Sequence, residues 1–299
     1  MSWRKDLIEM TKNKQRILVL LAFLYSTGQA QWLNYREPGT PRTPDGKPNL
    51  RAPAPKALDG KPDLSGVWMH EVTGAAEMKR LYGKVAEEAE KTNVPGMELD
   101  TIHKYAFNIL IDHKPEEGLV RPDTLERMRR NGSFLDPERG CRPGAAAAFV
   151  PPFPLMGLLS EAIKIIQAPR ITMILYEAGE LHRQIHTDGR SLPKEFDLPA
   201  FNGYSAGSWE GDTLVVETAG FNDKTPLDAM GHPHSDALRV TERFRRRDFG
   251  HLDYEITFDD PKAYTKPFTV KIPHDLLADS DIFETYSENE KDLAHICKH

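Results

Sequence analysis

The chain has 299 residues, a formal net charge of −6 at pH 7 and 39% hydrophobic residues, so it can bury a substantial core without disulfide staples. An acidic protein of this kind is a poor partner for nucleic acid or for an anionic membrane surface. Its two cysteines, Cys141 and Cys297, exclude a cysteine-only zinc site and allow at most one disulfide, which spacing alone does not establish.

The N-terminus carries the three zones of a secretory signal peptide in their usual order. Five basic residues within the first 16 positions precede an apolar run at 17–24, and the small residues Gly28 and Ala30 follow it. The apolar run is shorter than the ~20 residues needed to span a bilayer. We therefore expect cleavage after Ala30, a periplasmic or secreted protein and no membrane association after cleavage. The alternative is that the N-terminal segment stays uncleaved and anchors the protein in the membrane.

Residues 31–64 are rich in proline and contain a short internal repeat, Asp45–Leu50 and Asp59–Leu64. Each copy of the repeat is a turn sequence followed by an apolar residue. Proline fixes an extended backbone and removes hydrogen-bond donors. The segment is therefore interpreted as a strap along the protein wall and not as a binding motif.

The first strand is predicted at 64–70 and contains Gly66-Val67-Trp68. Lipocalin-like barrels open with this Gly-x-Trp arrangement, in which the tryptophan plugs the closed end. Between 73 and 132 the spacing of the apolar residues changes from that of a strand to that of a helix. We predict a helical insertion that covers one end or face of the barrel, with three helical stripes: one from Met78 to Ala89, one from Ile102 to Leu110, and one between Asp123 and Gly132.

The remaining chain reads as strands separated by turn residues. Runs at 163–167, 171–177 and 181–188 are followed by a meander over 203–260, with tight hairpins at 209–212 and 248–250. Two later runs, at 268–272 and 281–287, give about ten strands. The predicted fold is an antiparallel up-and-down β-barrel over 65–299. Its predicted core contains Trp68, Leu214, Val216, Leu238, Val240, Tyr254 and Ile256.

Four segments resemble a large family of exported, mostly uncharacterised bacterial proteins. They are Asp59–Trp68, Trp209–Thr218, Gly220–Asp223 and Gly231–Asp236, and the resemblance covers most of the mature chain. It implies export and a β-rich, lipocalin-like barrel. It implies no family-wide activity and no catalytic residues, so the chemistry has to be argued from individual side chains.

Glu242 is a candidate because strand alternation places it on the same face as Val240 and Phe244. A carboxylate on an apolar face is costly unless it is paired. One interpretation is an ion pair with Arg183, which shares an inward face with Ile185. The other is a general acid or base whose pKa burial would raise.

The loop 222–237 is longer than a hairpin requires, and long loops in compact domains are usually functional or disordered. It contains His232 and His234, whose His-x-His spacing is suited to a divalent metal ion with Asp236, or alternatively Asp228, His251 or His186, as third ligand. The alternative is that both imidazoles merely hydrogen-bond neighbouring strand ends.

Two functions remain open from the sequence. The first is a barrel that binds a small, partly apolar organic molecule at its mouth. The second is a hydrolase, lyase or isomerase that is cofactor-free or uses one divalent metal ion, with Glu242, His232 and His234 as acid, base or metal ligands. For the first function the predicted ligand-binding residues are Arg183, His186, Tyr176, Trp209 and Asn222.

Overall fold

The computed structural model describes residues 35–84, 86–87, 103–131, 158, 162–177 and 181–282. The signal-peptide region, both cysteines and the predicted strand positions 283–287 lie outside these ranges. Within the ranges there are ten strands: β1 (Gly66–His70), β2 (Ile163–Ala168), β3 (Ile171–Tyr176), β4 (Leu181–His186), β5 (Tyr204–Glu210), β6 (Thr213–Ala219), β7 (Arg239–Arg246), β8 (His251–Asp259), β9 (Phe268–Lys271) and β10 (His274–Leu276).

Nine of the strands close into a barrel. Neighbours run from β1 to β8 in chain order, and β10 pairs with both β8 and β1 to complete the ring. The additional strand, β9, pairs with β8 outside the ring. The prediction of a β-barrel of about ten strands is thus confirmed.

The barrel is mixed, which corrects the prediction of a purely antiparallel sheet. β4 and β5 run parallel, with Ile185 opposite Ser205. A parallel pair needs a connection of about a dozen residues or more to return the chain to the same end. Residues 187–203 provide that connection.

The predicted last strand is also placed differently. Asp281 and Ile282 are not in a strand, and the tenth strand is instead the three-residue β10. β10 has three residues and directly follows Pro273. In so short a strand the alternation of apolar and polar side chains is too brief to be recognised in the sequence. Its position between β8 and β1 makes it the strand that closes the barrel.

The insertion contains α1 (Ala75–Tyr82), α2 (Lys104–Phe107), a 3₁₀ turn (Pro115–Glu117) and α3 (Pro122–Asn131). The second helix is only one turn long, whereas its apolar stripe predicted a longer one. It ends because Asn108 is extended and the backbone N–H of Ile109 donates to Asp228 Oδ2 at 2.7 Å. A side-chain acceptor from a distant loop therefore replaces the next helical hydrogen bond.

We call the end of the barrel where β1 begins the closed end. Trp68 plugs it, fully buried, and its indole N–H donates to the Leu64 carbonyl at 3.0 Å. The guanidinium of Arg246 lies 4.9 Å from the Trp68 ring centroid, a cation–π contact, and donates to the Asp63 carbonyl at 2.6 Å. The Gly-x-Trp motif therefore has the role that the sequence predicted.

The proline-rich strap packs against this closed end. Its repeats form two similar turns, in which Thr43 N–H donates to Lys47 O at 2.9 Å and Ala57 N–H donates to Lys61 O at 2.8 Å. The backbone N–H of Gly250 donates to Leu50 O at 2.7 Å. A Cβ at Gly250 would lie 2.4 Å from the Leu50 Cβ, so only glycine allows this approach.

The insertion and the loop 222–237 together cover the opposite end, which we call the capped end. The insertion leaves from the end of β1 and the loop from the end of β6. They are joined by hydrogen bonds, including Ala229 N–H to Ala106 O at 2.8 Å and the contact between Ile109 and Asp228. Both predicted features, the insertion and the long loop, thus lie over one barrel mouth.

The predicted core is confirmed: six of its residues are fully buried and Tyr254 packs against them half-buried. Among the described residues, no helix is long and apolar enough to cross a membrane.

Candidate functional site

A buried ion pair lies inside the barrel. Glu242 on β7 and Arg183 on β4 meet through Nη1 and Oε1 at 2.8 Å and through a second contact between Nη2 and Oε2. The relative exposure of the Glu242 side chain is 0% and that of Arg183 is 3%. This bidentate geometry matches the ion-pair interpretation of Glu242.

Hydroxyl groups complete the coordination of the ion pair. Tyr254 Oη donates to Glu242 Oε1 at 2.6 Å, and Arg183 donates to Thr218 Oγ1 at 2.7 Å and to Ser205 Oγ at 2.9 Å. We call these five residues the interior network. Its members come from β4, β5, β6, β7 and β8, so the network connects more than half of the barrel wall.

The aromatic members of this region are held as neutral phenols. Burial raises the pKa of Tyr176, which lies beside Arg183, to about 12, although the positive charge of Arg183 opposes the shift. Burial, followed by the charge of Glu242, raises the pKa of Tyr254 well above its usual value. The ion pair is therefore the charged part of the interior network at neutral pH.

Three buried histidines lie where the barrel wall meets the insertion. His70 ends β1, His274 begins β10 opposite it, and His103 caps α2 in the insertion. The His70 ring is 5.9 Å from the His103 ring and 6.3 Å from the His274 ring, edge to face in both cases. We call these three residues the histidine cluster. The His274 ring also lies 5.6 Å from Tyr254, which connects the cluster to the interior network.

Hydrogen bonds define the tautomers of two of these rings. His274 Nδ1 lies 2.8 Å from the Ile272 carbonyl, which can only accept, so Nδ1 carries the proton. His103 Nδ1 accepts from the backbone N–H of Tyr105 at 3.3 Å, so its proton is on Nε2. Burial lowers the pKa of each ring to about 3. Both rings are therefore neutral at physiological pH.

The two loop histidines occupy separate positions in the cap. His232 Nδ1 lies 2.6 Å from Asp228 Oδ2, and the same carboxylate accepts the His232 backbone N–H at 3.1 Å. His234 Nε2 lies 3.2 Å from Thr225 Oγ1, and burial lowers its pKa. These contacts match the interpretation in which loop histidines support neighbouring backbone and side chains.

The structure does not bring the predicted metal ligands His232, His234 and Asp236 together. The part of the chain that the structure describes contains no group of three or more histidine, cysteine or acidic side chains that could hold a metal ion. The physical reason is that Asp236 points to the surface, where it pairs with Lys262 at 2.7 Å. The imidazoles are meanwhile directed to Asp228 and Thr225.

The five predicted ligand-binding residues are divided between several places. Arg183 and Tyr176 lie together at the interior network. His186 is on the opposite face of β4 from Arg183, and Trp209 lies on β5 toward the closed end. Asn222 closes a turn in the loop by accepting the Lys224 N–H at 3.1 Å.

Sequence reasoning did not identify the histidine cluster. Alternation along β1 does place His70 on the same face as Trp68, so one member was detectable by the pattern that identified Glu242. His274 belongs to the strand that the sequence did not predict. His103 lies in the insertion, and its sequence position gives no sign that it faces the barrel.

Comparison with known proteins gives one weak structural likeness. No family model and no curated protein matches the chain. Among solved structures it is similar to a luciferase domain from the dinoflagellate Lingulodinium polyedrum, with 11% identity and a TM-score of 0.29, over 95% of this chain and 68% of that one. At this level of likeness the function has to be argued from the site itself.

Proposed function

We propose that the protein is exported and binds a small, partly apolar organic molecule inside the capped end of the barrel. The observation that carries this proposal is the histidine cluster, which is buried where β1 and β10 meet the insertion. Buried polar groups cost free energy, and a barrel that served only as a scaffold would fill this region with apolar side chains.

The surroundings of the cluster supply the apolar part of the site. Tyr254 stacks on Phe244 with ring centroids 4.4 Å apart, and Tyr105 lies 4.8 Å from the His103 ring. Small-molecule sites in proteins combine such aromatic walls with a few oriented polar groups. The proposed site lies deeper in the barrel than the mouth at which the sequence predicted it. The insertion and the loop 222–237 cover it.

Export is supported by the signal-peptide pattern and by the resemblance to a family of exported bacterial barrels. The enzyme alternative, with Glu242 as acid or base, has less support. Its carboxylate is already held by Arg183 and Tyr254, and an acid or base needs an oxygen that can exchange a proton with a substrate.

A substitution of His103 tests the binding proposal. His103→Asn keeps an oxygen that can accept the Tyr105 N–H and so preserves the cap of α2, but it removes the imidazole. Binding of the uncharged fluorescent probe N-phenyl-1-naphthylamine to the mature protein should be saturable. We expect the variant to weaken it about tenfold, the loss of roughly one good polar contact.

His182→Asn is the matched control, because His182 is exposed on the outer face of β4. It should leave probe affinity unchanged, and both variants should melt within a few degrees of the parent protein. Absence of saturable binding in the parent protein, or equal affinity in the parent and His103→Asn, would contradict the proposed site.

A further inference from the structure

Among the residues that the structure describes, the charges near the histidine cluster compensate each other. Arg183 and Glu242 form an ion pair, and the half-buried Tyr254 is a neutral phenol. His103 and His274 are neutral as well. Arg246 lies at the other end, below Trp68, with its donors on backbone carbonyls such as that of Asp63.

A charged ligand group would therefore be desolvated at the histidine cluster without a compensating charge from these inward-facing residues. Burying a charge under such conditions is strongly unfavourable, because nothing replaces the hydration that the charge loses. Of the inward-facing residues that the structure describes, Arg183 could pair with an anion only by separating from Glu242. Lys104, which lies over the Tyr105 ring, is already paired with Asp112 at 2.7 Å. An uncharged ligand avoids both costs.

The two histidines with defined tautomers offer opposite hydrogen-bonding functions. His274 uses Nδ1–H for the Ile272 carbonyl, so its Nε2 is an acceptor. His103 uses Nδ1 as an acceptor for Tyr105 N–H, so its Nε2–H is a donor. A hydroxyl group can donate one hydrogen bond and accept another, and it therefore matches a cluster that presents one acceptor and one donor.

We infer, on the basis of the function proposed above, that the ligand is an uncharged alcohol or phenol on a partly apolar frame. Its hydroxyl group is recognised by the histidine cluster, and its frame lies against the aromatic rings of Tyr254 and Tyr105. The site should therefore prefer the alcohol over two molecules of the same size. A carboxylate would be buried with an uncompensated charge, and a hydrocarbon would make no hydrogen bond to the histidines.

Three probes of one shape test this inference on the mature protein: 2-naphthol, the anion 2-naphthoate, and naphthalene. We expect 2-naphthol to bind at least about tenfold more tightly than either of the others at pH 7.5, since each difference corresponds to one polar contact or more. His274→Leu should reduce the affinity for 2-naphthol to that for naphthalene. His182→Leu, on the outer surface of the barrel, is the matched control.

The outcomes separate this inference from the proposed function. If 2-naphthoate binds most tightly, or naphthalene binds as well as 2-naphthol, the ligand class is wrong while binding at the barrel stands. If His274→Leu retains the preference for 2-naphthol, the assignment to the cluster is wrong. If the three probes all fail to bind, both the inference and the proposed function are contradicted.

Discussion

Replacing Arg183 with methionine should destabilise the protein by about 3–5 kcal/mol, the range found when one partner of a buried ion pair is removed. Glu242 would be left as a buried carboxylate, with only the hydroxyl groups of Tyr254 and Thr218 to stabilise it. Denaturant unfolding of the mature chain, analysed by linear extrapolation, measures the effect. The double variant Arg183→Met/Glu242→Leu should regain much of the loss, because no uncompensated charge remains.

Arg243 provides the control, since it is adjacent to Glu242 on the same strand but faces outward. It pairs with Glu210 at 2.9 Å, and both side chains are exposed. Arg243→Met should cost less than about 1 kcal/mol, as surface ion pairs generally do. Equal losses for Arg183→Met and Arg243→Met would mean that the interior pair is solvated and that the barrel interior is open to bulk water.

Trp68→Ala should have an effect of similar size, about 3–5 kcal/mol, the range for large aromatic side chains removed from a core. The loss combines the cavity at the closed end with the absence of the cation–π contact to Arg246. Because Arg246 also binds the strap through the Asp63 carbonyl, limited proteolysis should cleave the segment 35–64 faster in the variant.

Trp68→Phe separates these contributions. It keeps an aromatic ring for Arg246 but removes the indole N–H that donates to Leu64 O, so we expect an intermediate loss. A free energy of unfolding reduced by less than about 1 kcal/mol in Trp68→Ala would indicate that the closed end is not packed around this residue.

Local alternation accounts for most of what the sequence could predict. The period of two places Trp68, Val240 and Glu242 on inward faces, and the structure confirms all three. It also offered Arg183 as the partner of Glu242 in one of the two interpretations of that carboxylate, because both inward faces are otherwise apolar. Alternation fails for β10, which is three residues long, and it does not reveal that β4 and β5 are parallel.

The site could be predicted only in part because its groups come from segments far apart in the chain. His70, His103 and His274 are brought together by the closure of the barrel and by the insertion that covers it. Neither the closure nor the covering insertion produces a recognisable residue pattern around these three histidines in the sequence. The loop histidines, in contrast, have a conspicuous spacing but serve Asp228 and Thr225 within the cap.

The most direct test of the proposed site is a histidine-selective NMR titration of the mature protein with 2-naphthol. Naphthol ring currents should shift the imidazole Cε1–Hε1 signals of His70, His103 and His274 in a saturable manner. The signals of His182 and His251, which lie outside the barrel interior, should stay in place. Shifts confined to His182 and His251, with the cluster unchanged at saturation, would contradict a binding site at the capped end of the barrel.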